Sequence, residues 1–487
     1  MIRPTIPTRP VSDGPPAGPE RLSAEDLAEY ALGLCRADAC VVVVEDRDSV
    51  HLRWSESTVT TSGSARGRLL TVIAVEHRES GGTSVGVVRC SGTSRDRIAQ
   101  AVAAAEAAAR AATPVPGALP LPAPAGGPVD WPAPAQERTG PEHRARERAA
   151  RFVPALGRAF EAARAHDRLL FGFAEEGSLT TWMATSSGLR LRGDHPFGRV
   201  ELTAKSADLT RSAWTAAPVR TLRADGLTGM ADDLLRRMSR GDERRELPPG
   251  RYDVLLSPSA AGEMALNLYR AAGARAAHDG RGPFTGPGGT NRVGERLTPY
   301  PLNLRSDPHH PDLPCPPFLV VPSSGRDSSV FDNGLPLTAT DWIRDGTLRA
   351  LVQTRESAVL TGLPCTPAAG NLILEGPGRA TLDDMVARTA RGLLITSLWY
   401  VRTVDPNSGL LTGVTRDGVY LVEHGEIVAE VNNFRFNESP VAMLGRVTEA
   451  GATSPALSRE WDPYAMPLAA PPLRVSDFNL SSVSRST

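Results

Sequence analysis

The chain has 487 residues, 41% hydrophobic and 22% charged, enough for more than one domain of roughly 100 to 200 residues with a sizeable core. Fifty-four Lys and Arg against fifty-five Asp and Glu leave a net charge of −1, so no overall field draws it to nucleic acid or an anionic membrane. Lys205 is the only lysine, which excludes a P-loop and a Ser-x-x-Lys nucleophile, since both need a lysine at a fixed place.

The start, residues 1–21, is rich in Pro and Gly without an apolar run and reads as a disordered tail rather than a signal peptide. Ser23 and Asp26 open a helix to about Cys35, with Leu27, Tyr30, Ala31 and Leu34 at helical spacing. Strands are predicted at Cys40 to Val44, Val50 to Trp54, Leu69 to Val75 and Val85 to Val88, followed by an alanine-rich helix capped by Ser94. Residues 22–112 thus form a helix-flanked antiparallel N-terminal module. Residues 113–137 carry Pro114, Pro116, Pro120, Pro122, Pro124, Pro128, Pro132 and Pro134, a stiff extended linker.

Residues 138–246 read as a middle α+β segment. It begins with a charged helix from Glu142 to Ala165, interrupted near Pro154, whose run Arg144 to Arg151 alternates with glutamates and is a solvated face. Strands at Leu169 to Phe173, Leu179 to Ala184, Leu189 to Leu191 and Val200 to Ala204 make a second sheet, and Leu227 to Met238 a helix. Residues 247–475 then form a larger, mostly antiparallel β domain. In it Tyr252 to Leu256 leads into a helix opened by Pro258 and running to about Ala277, and Val419 to Glu423 turns at His424-Gly425 into Ile427 to Val431. Residues 476–487 read as a tail.

Several patterns suggest chemistry and are outweighed by plainer readings. Gly82-Thr83-Ser84-Val85-Gly86 fits the nucleophile elbow, but strand rather than helix follows the serine, so a hairpin turn is expected. His309, His310, Asp312 and Cys315 could suit zinc, yet five prolines between 308 and 317 make a rigid surface loop the better reading. Gly286-Pro-Gly-Gly289 lacks the helix that phosphate binding requires. No His-x-x-x-His or His-Glu-x-x-His pair exists, and the five cysteines form no Cys-x-x-Cys, so a self-contained zinc hydrolase is not expected.

The segment Tyr252-Asp-Val-Leu-Leu-Ser-Pro-Ser-Ala260 leading to Glu263, then Phe331-Asp-Asn-Gly334, Trp342-Ile-Arg-Asp-Gly346, Gly370-Asn371, Val414 to Ile427 and Asn432 to Pro440 together resemble, in order, the TldD/PmbA (TldE) family. The resemblance spans most of residues 22–475 and implies an α+β fold with a TldD/PmbA-type C-terminal domain. It also implies a subunit of a heterodimeric, cytoplasmic metallopeptidase that processes extended peptides. In that family the TldD subunit carries His-Glu-x-x-x-His on this helix and a further cysteine near the C-terminus. Those positions fall here on Gly262, Glu263 and Asn267, and no cysteine follows Cys365.

Only the glutamate is kept, so the resemblance points to a TldE-like chain with a degenerate metal motif, no catalytic or metal-binding residue and no cofactor of its own. Zinc is then expected in a TldD-like partner chain, with a peptide substrate and neither nucleic acid nor membrane as partner. Without metal-bound water, Glu263 is read as a retained helix residue facing solvent or a partner. Arg355, Arg402, Asn433, Arg435 and Asn437 are candidate peptide contacts, because guanidinium forks and side-chain amides match peptide oxygens and amides along an exposed strand edge. Maturation of a peptide-like natural product and non-enzymatic modulation of gyrase type are the alternatives.

Overall fold

The computed structural model of the protein describes residues 22–79, 81–115, 118–126, 130–132, 141–218, 224–240, 243–460 and 466–484, with the side chains of 141–151, 224–225 and 240 excepted. The predicted tail of 1–21 and the side chains of the Arg144 to Arg151 run lie outside the described set.

The fold is mixed α+β. Helix α1 (Ala24–Leu34) is N-capped by Ser23, whose Oγ accepts from the Asp26 N–H, and packs on the meander β1 (Ala39–Ser55), β2 (Thr58–His77) and β3 (Thr83–Cys90). Helix α2 (Arg95–Ala111) closes that unit, and α3 (Pro141–Ala165) runs on to β4 (Arg168–Thr185), β5 (Arg190–Ser206) and β6 (Ser212–Pro218). The predicted division at the linker is corrected here, because β1 pairs with β4 from Val41↔Thr185 to Trp54↔Gly172, giving one six-stranded sheet ordered β3-β2-β1-β4-β5-β6. Strand pairing between segments distant in sequence leaves no local trace, so the shared sheet was invisible to periodicity.

Along β1 one face carries Val42, Val44, Leu52 and Trp54 under the helices, including α4 (Ala224–Arg240), while the other carries Val41 and Val43 against Phe318, Val321, Val330 and Phe331. Helix α3 passes through Pro154 without the predicted interruption. A proline inside a helix costs about 3 kcal/mol. Here buried Phe152, Leu156 and Phe160 on either side offset it by packing against α4 and the sheet.

The C-terminal part adds β7 (Arg244–Arg245), β8 (Gly250–Leu256), α5 (Pro258–Arg270), α6 (Ala274–His278), β9 (Asn303–Ser306), β10 (Thr340–Arg344), β11 (Thr347–Leu348) and α7 (Arg355–Thr361). It continues with β12 (Leu372–Glu375), α8 (Leu382–Ala387), β13 (Arg391–Ile395), β14 (Leu398–Asp405), β15 (Leu410–Thr415), β16 (Val419–Glu423), β17 (Glu426–Val431) and β18 (Phe434–Glu438). After α9 (Pro440–Leu444) come β19 (Val447–Ala450), β20 (Ser454–Ala456), β21 (Leu468–Ala470) and β22 (Leu473–Val483).

These strands form a ten-stranded sheet, with β14-β15-β18-β22-β8-β13-β16-β17-β7 in order and β19 on β22, and a six-stranded sheet, β11-β10-β9-β12-β21-β20. The predicted tail is thereby corrected: β22 runs to Val483 between β18 and β8. Its apolar alternation (Val475, then Phe478 and Leu480) is broken by the irregularity at Ser476 and Asp477, which hides the strand period. The predicted hairpin is present, with His424 at φ 53° and Gly425 at φ 83° supplying the left-handed pair such a tight turn needs.

Candidate functional site

Helix α5 sits in the largest apolar cluster, touching residues of both C-terminal sheets. The junction that places it follows from local chemistry. Strand β8 ends at Ser257, whose Oγ caps the helix by accepting from the Ala260 N–H at 3.2 Å and is tied to the Thr396 carbonyl at 2.6 Å, and Pro258 supplies a preset first turn. The helix ends at Arg270, and the chain breaks over residues 271–273 before α6, earlier than the predicted end near Ala277.

Glu263 is 1% exposed, which corrects the expectation that it faces solvent or a partner. The reason is that α5 is buried on nearly every side, residues 260–266, 268 and 269 all being covered, so position 263 has no solvent-facing side to occupy. Burying a carboxylate demands hydrogen-bonding partners. Asn267, one turn on, donates from Nδ2 to Glu263 Oε1 at 3.0 Å and to the Glu263 carbonyl at 2.9 Å, and Ser458 Oγ donates to Glu263 Oε2. At Gly262 a Cβ would stand 2.5 Å from Leu468 Cδ2, so a leucine side chain from β21 already fills the space a longer residue would claim.

This donor set does not fit a zinc ion. Gly262 has no donor, its side-chain volume is taken by Leu468, the Asn267 amide points its N–H at the carboxylate, and Ser458 spends its hydroxyl proton on the same group. Among the described residues no three of His, Cys, Asp and Glu converge as a metal site. In the 309–315 loop His309 and Asp312 are exposed while Cys315 is buried, and His310 Nδ1 accepts from the Asp312 backbone N–H at 3.2 Å, so these four side chains do not gather.

A cavity of about 1030 Å³ lies between the two parts of the molecule, and its floor includes Ser458, which holds Glu263, and Leu468, which packs beside Gly262. Its walls come from β4 and β5, α4, the 312–316 loop, Pro455 to Ser458, Met466 to Leu468, and Arg270. The motif asparagine Asn371 builds one wall, since its Nδ2 donates to the Asp307 and Leu313 carbonyls, each at 2.6 Å. Burial pushes the Cys315 thiol in that wall up to about 11. The segment over the floor is pinned residue by residue: Leu457 accepts from Ser259 Oγ at 2.5 Å, Ser458 holds Glu263, Arg459 pairs with Asp417, and Glu460 accepts from the Val401 N–H at 2.7 Å.

The predicted peptide contacts stand elsewhere. Arg355 binds Asp332 at 2.8 Å and the Pro120 carbonyl at 2.8 Å, tying the linker to the C-terminal part. Arg402, on edge strand β14, pairs with Glu460 and lies 4.4 Å from the Tyr400 ring. Asn433, Arg435 and Asn437 lie on or beside β18, whose main chain is paired on both sides by β15 and β22, so no open edge is available there. None of the five lines the cavity. Ser458, Leu468 and Arg270 escaped the sequence reading; only Arg270 left a signal, two helical turns after Glu263 on the same face.

Residues 249–482 match the PmbA/TldA metallopeptidase C-terminal domain, and this part of the chain belongs to the PmbA/TldD family. Among solved structures it is similar to TldE from Thermococcus kodakarensis, with 16% identity and a TM-score of 0.74 over 93% of this chain and 99% of that one. A candidate modulator of a DNA gyrase from Thermotoga maritima has 16% identity and a TM-score of 0.70, covering 94% and 100%. Another from Bacteroides thetaiotaomicron has 14% identity and a TM-score of 0.70, covering 94% and 99%. At these identities the likeness is one of fold. No curated protein matches the chain. Among the described residues no helix is long and apolar enough to cross a membrane.

Proposed function

We propose that this chain is the metal-free, TldE-like subunit of a two-chain peptidase, pairing with a TldD-like subunit that carries the zinc and shaping the space in which an extended peptide is cut. The observation that carries this reading is the filled site: Leu468 occupies the volume beside Gly262, and both oxygens of Glu263 accept hydrogen bonds from Asn267 and Ser458. A carboxylate so engaged has no activated water to deprotonate and serves instead to anchor the 457–460 segment. Zinc counting on the purified chain checks the first half, with well under one ion per chain expected. Reconstitution with a TldD-like chain checks the second: cleavage of an unstructured peptide should need both. Cleavage by this chain alone, or undiminished cleavage when it is omitted, would sink the proposal.

A further inference from the structure

We propose that the helix-free face of the N-terminal sheet is a docking track for an acidic stretch of an extended peptide, with Arg53 and Lys205 as the groups that meet its carboxylates. That the occupant is a peptide rests on the function proposed above; that it is anionic rests on the face itself. Strand alternation builds this face. Leu170, Ala174, Val200 and Leu202 pack with α3 and α4, so Phe171, Phe173, Arg199 and Glu201 turn away from those helices. Pairing of β1 with β4 and of β4 with β5 then sets Arg53, Phe173 and Glu201 in one row, with Phe171 and Lys205 farther along the same face. At its other end the face enters the cavity, whose lining includes Phe197 and Arg199.

Each of the three phenyl rings on this face carries a cation. Arg47 covers Phe197 at 4.5 Å, Arg199 and Arg53 share Phe173 at 4.8 and 5.4 Å, and Lys205 covers Phe171 at 5.5 Å. Two of these cations are neutralised, since Arg47 pairs with Glu175 at 2.8 Å and Arg199 with Glu201 at 2.7 Å. The other two, exposed Arg53 and half-buried Lys205, have no acidic partner among the described residues. Arg53 therefore sets a second positive charge beside Arg199 on one ring, and an incoming anion relieves that repulsion. A guanidinium held over a ring keeps its N–H edge free to donate to a carboxylate in two parallel hydrogen bonds. The same cover favours a peptide over single-stranded nucleic acid, because base stacking needs open ring faces. From Phe197 to Lys205 strand β5 takes eight residue steps, about 26 Å at about 3.3 Å per step, so the track suits a peptide segment of that length leading out of the cavity.

The test is fluorescence anisotropy on the full chain with fluorescein-labelled octaglutamate, octaglutamine and a short oligothymidylate. Octaglutamate should bind about tenfold more tightly than octaglutamine at about 50 mM salt and lose most of that margin at about 500 mM. Arg53→Gln and Lys205→Gln should each weaken octaglutamate about threefold and together about tenfold, with octaglutamine unchanged. Arg391→Gln, which removes an exposed positive charge on β13, should change neither. Unfolding midpoints of the variants show that the fold is kept. Equal binding of octaglutamate and octaglutamine, binding of neither, or an equal loss in Arg391→Gln would overturn the track. Tighter binding of the oligothymidylate with the same dependence on Arg53 would overturn the peptide as its occupant. Those results would leave the zinc count and the reconstituted cleavage as they stand, whereas cleavage that needs only one chain would overturn the proposed function and leave an octaglutamate preference, and so the anion track, in place.

Discussion

Two buried carboxylates sit on either side of the 458–459 peptide bond, and they are held in opposite ways. Glu263 is satisfied by an amide and a hydroxyl, neutral groups that ask little of their surroundings. Asp417, 5% exposed, is paired with Arg459 and lies 3.5 Å from Arg416; it also accepts from Ser212 Oγ. The Arg459 guanidinium lies 5.0 Å from the Trp214 ring of β6 and 4.6 Å from the Trp399 ring of β14, and Nη1 donates to Ser397 Oγ at 3.2 Å. The first site anchors the Ser458 segment to α5 within the C-terminal part. The second is an ionic pin that fastens the N-terminal sheet to the C-terminal one. Neutral partners tolerate loss; an ion pair that gives up one member leaves an uncompensated charge behind.

The largest effect should therefore come from the pin. Arg459→Ala is expected to cost about 3–5 kcal/mol, measured as a shift in the denaturant midpoint, because it removes the nearest cation from buried Asp417 and the guanidinium that packs on Trp214 and Trp399. A loss no greater than at the Glu263 site would erase the contrast. Next, Gly262→His should cost about 1–3 kcal/mol, since its side chain must displace Leu468. Combining it with Leu468→Ala should give a smaller loss than the sum of the two single changes, and strict additivity would show that the leucine does not fill that space. Ser458→Ala should cost about 1–2 kcal/mol, the penalty for leaving one carboxylate oxygen unsatisfied.

The smallest effect is chemical rather than energetic. Hydrogen bonding from Cys40 lowers the Cys35 thiol, whereas burial raises Cys315 to about 11. Thiolate fraction grows as pH rises through each value, so iodoacetamide at pH 8 should label Cys35 well before Cys315, read by peptide mass mapping. Fast labelling of Cys315 would mean that the cavity wall beside Glu263 is wetter than its lining implies.

Local features were legible in the sequence: the capped helices at Ser23 and Ser94, the proline-opened α5, and the hairpin at His424-Gly425 all follow from short-range chemistry. That positions 262 and 267 hold glycine and asparagine rather than histidine was also legible, since these are letters of the sequence. What could not be read was anything made by distant pairing. The union of β1 with β4 depends on residues more than a hundred positions apart, as the Arg47–Glu175 contact at a separation of 128 illustrates. Ser458 and Leu468 reach α5 in the same manner, the serine across 195 positions, and neither residue type announces such a role. The inward turn of Glu263 was misjudged because a charged side chain is usually outside, and only its two partners reverse that rule.

Strand β8 receives one neighbour from β13 and the other from β22, and Arg251 meets Asp477 at a separation of 226 positions. During synthesis this strand must therefore wait, both edges open, until most of the domain has emerged. The six-stranded sheet of β1 to β6 can form early from nearer partners, but the larger sheet is committed to late closure, with a slow search and a period of vulnerability to wrong edge pairing. Yield in a heterologous host should depend on chaperone supply accordingly.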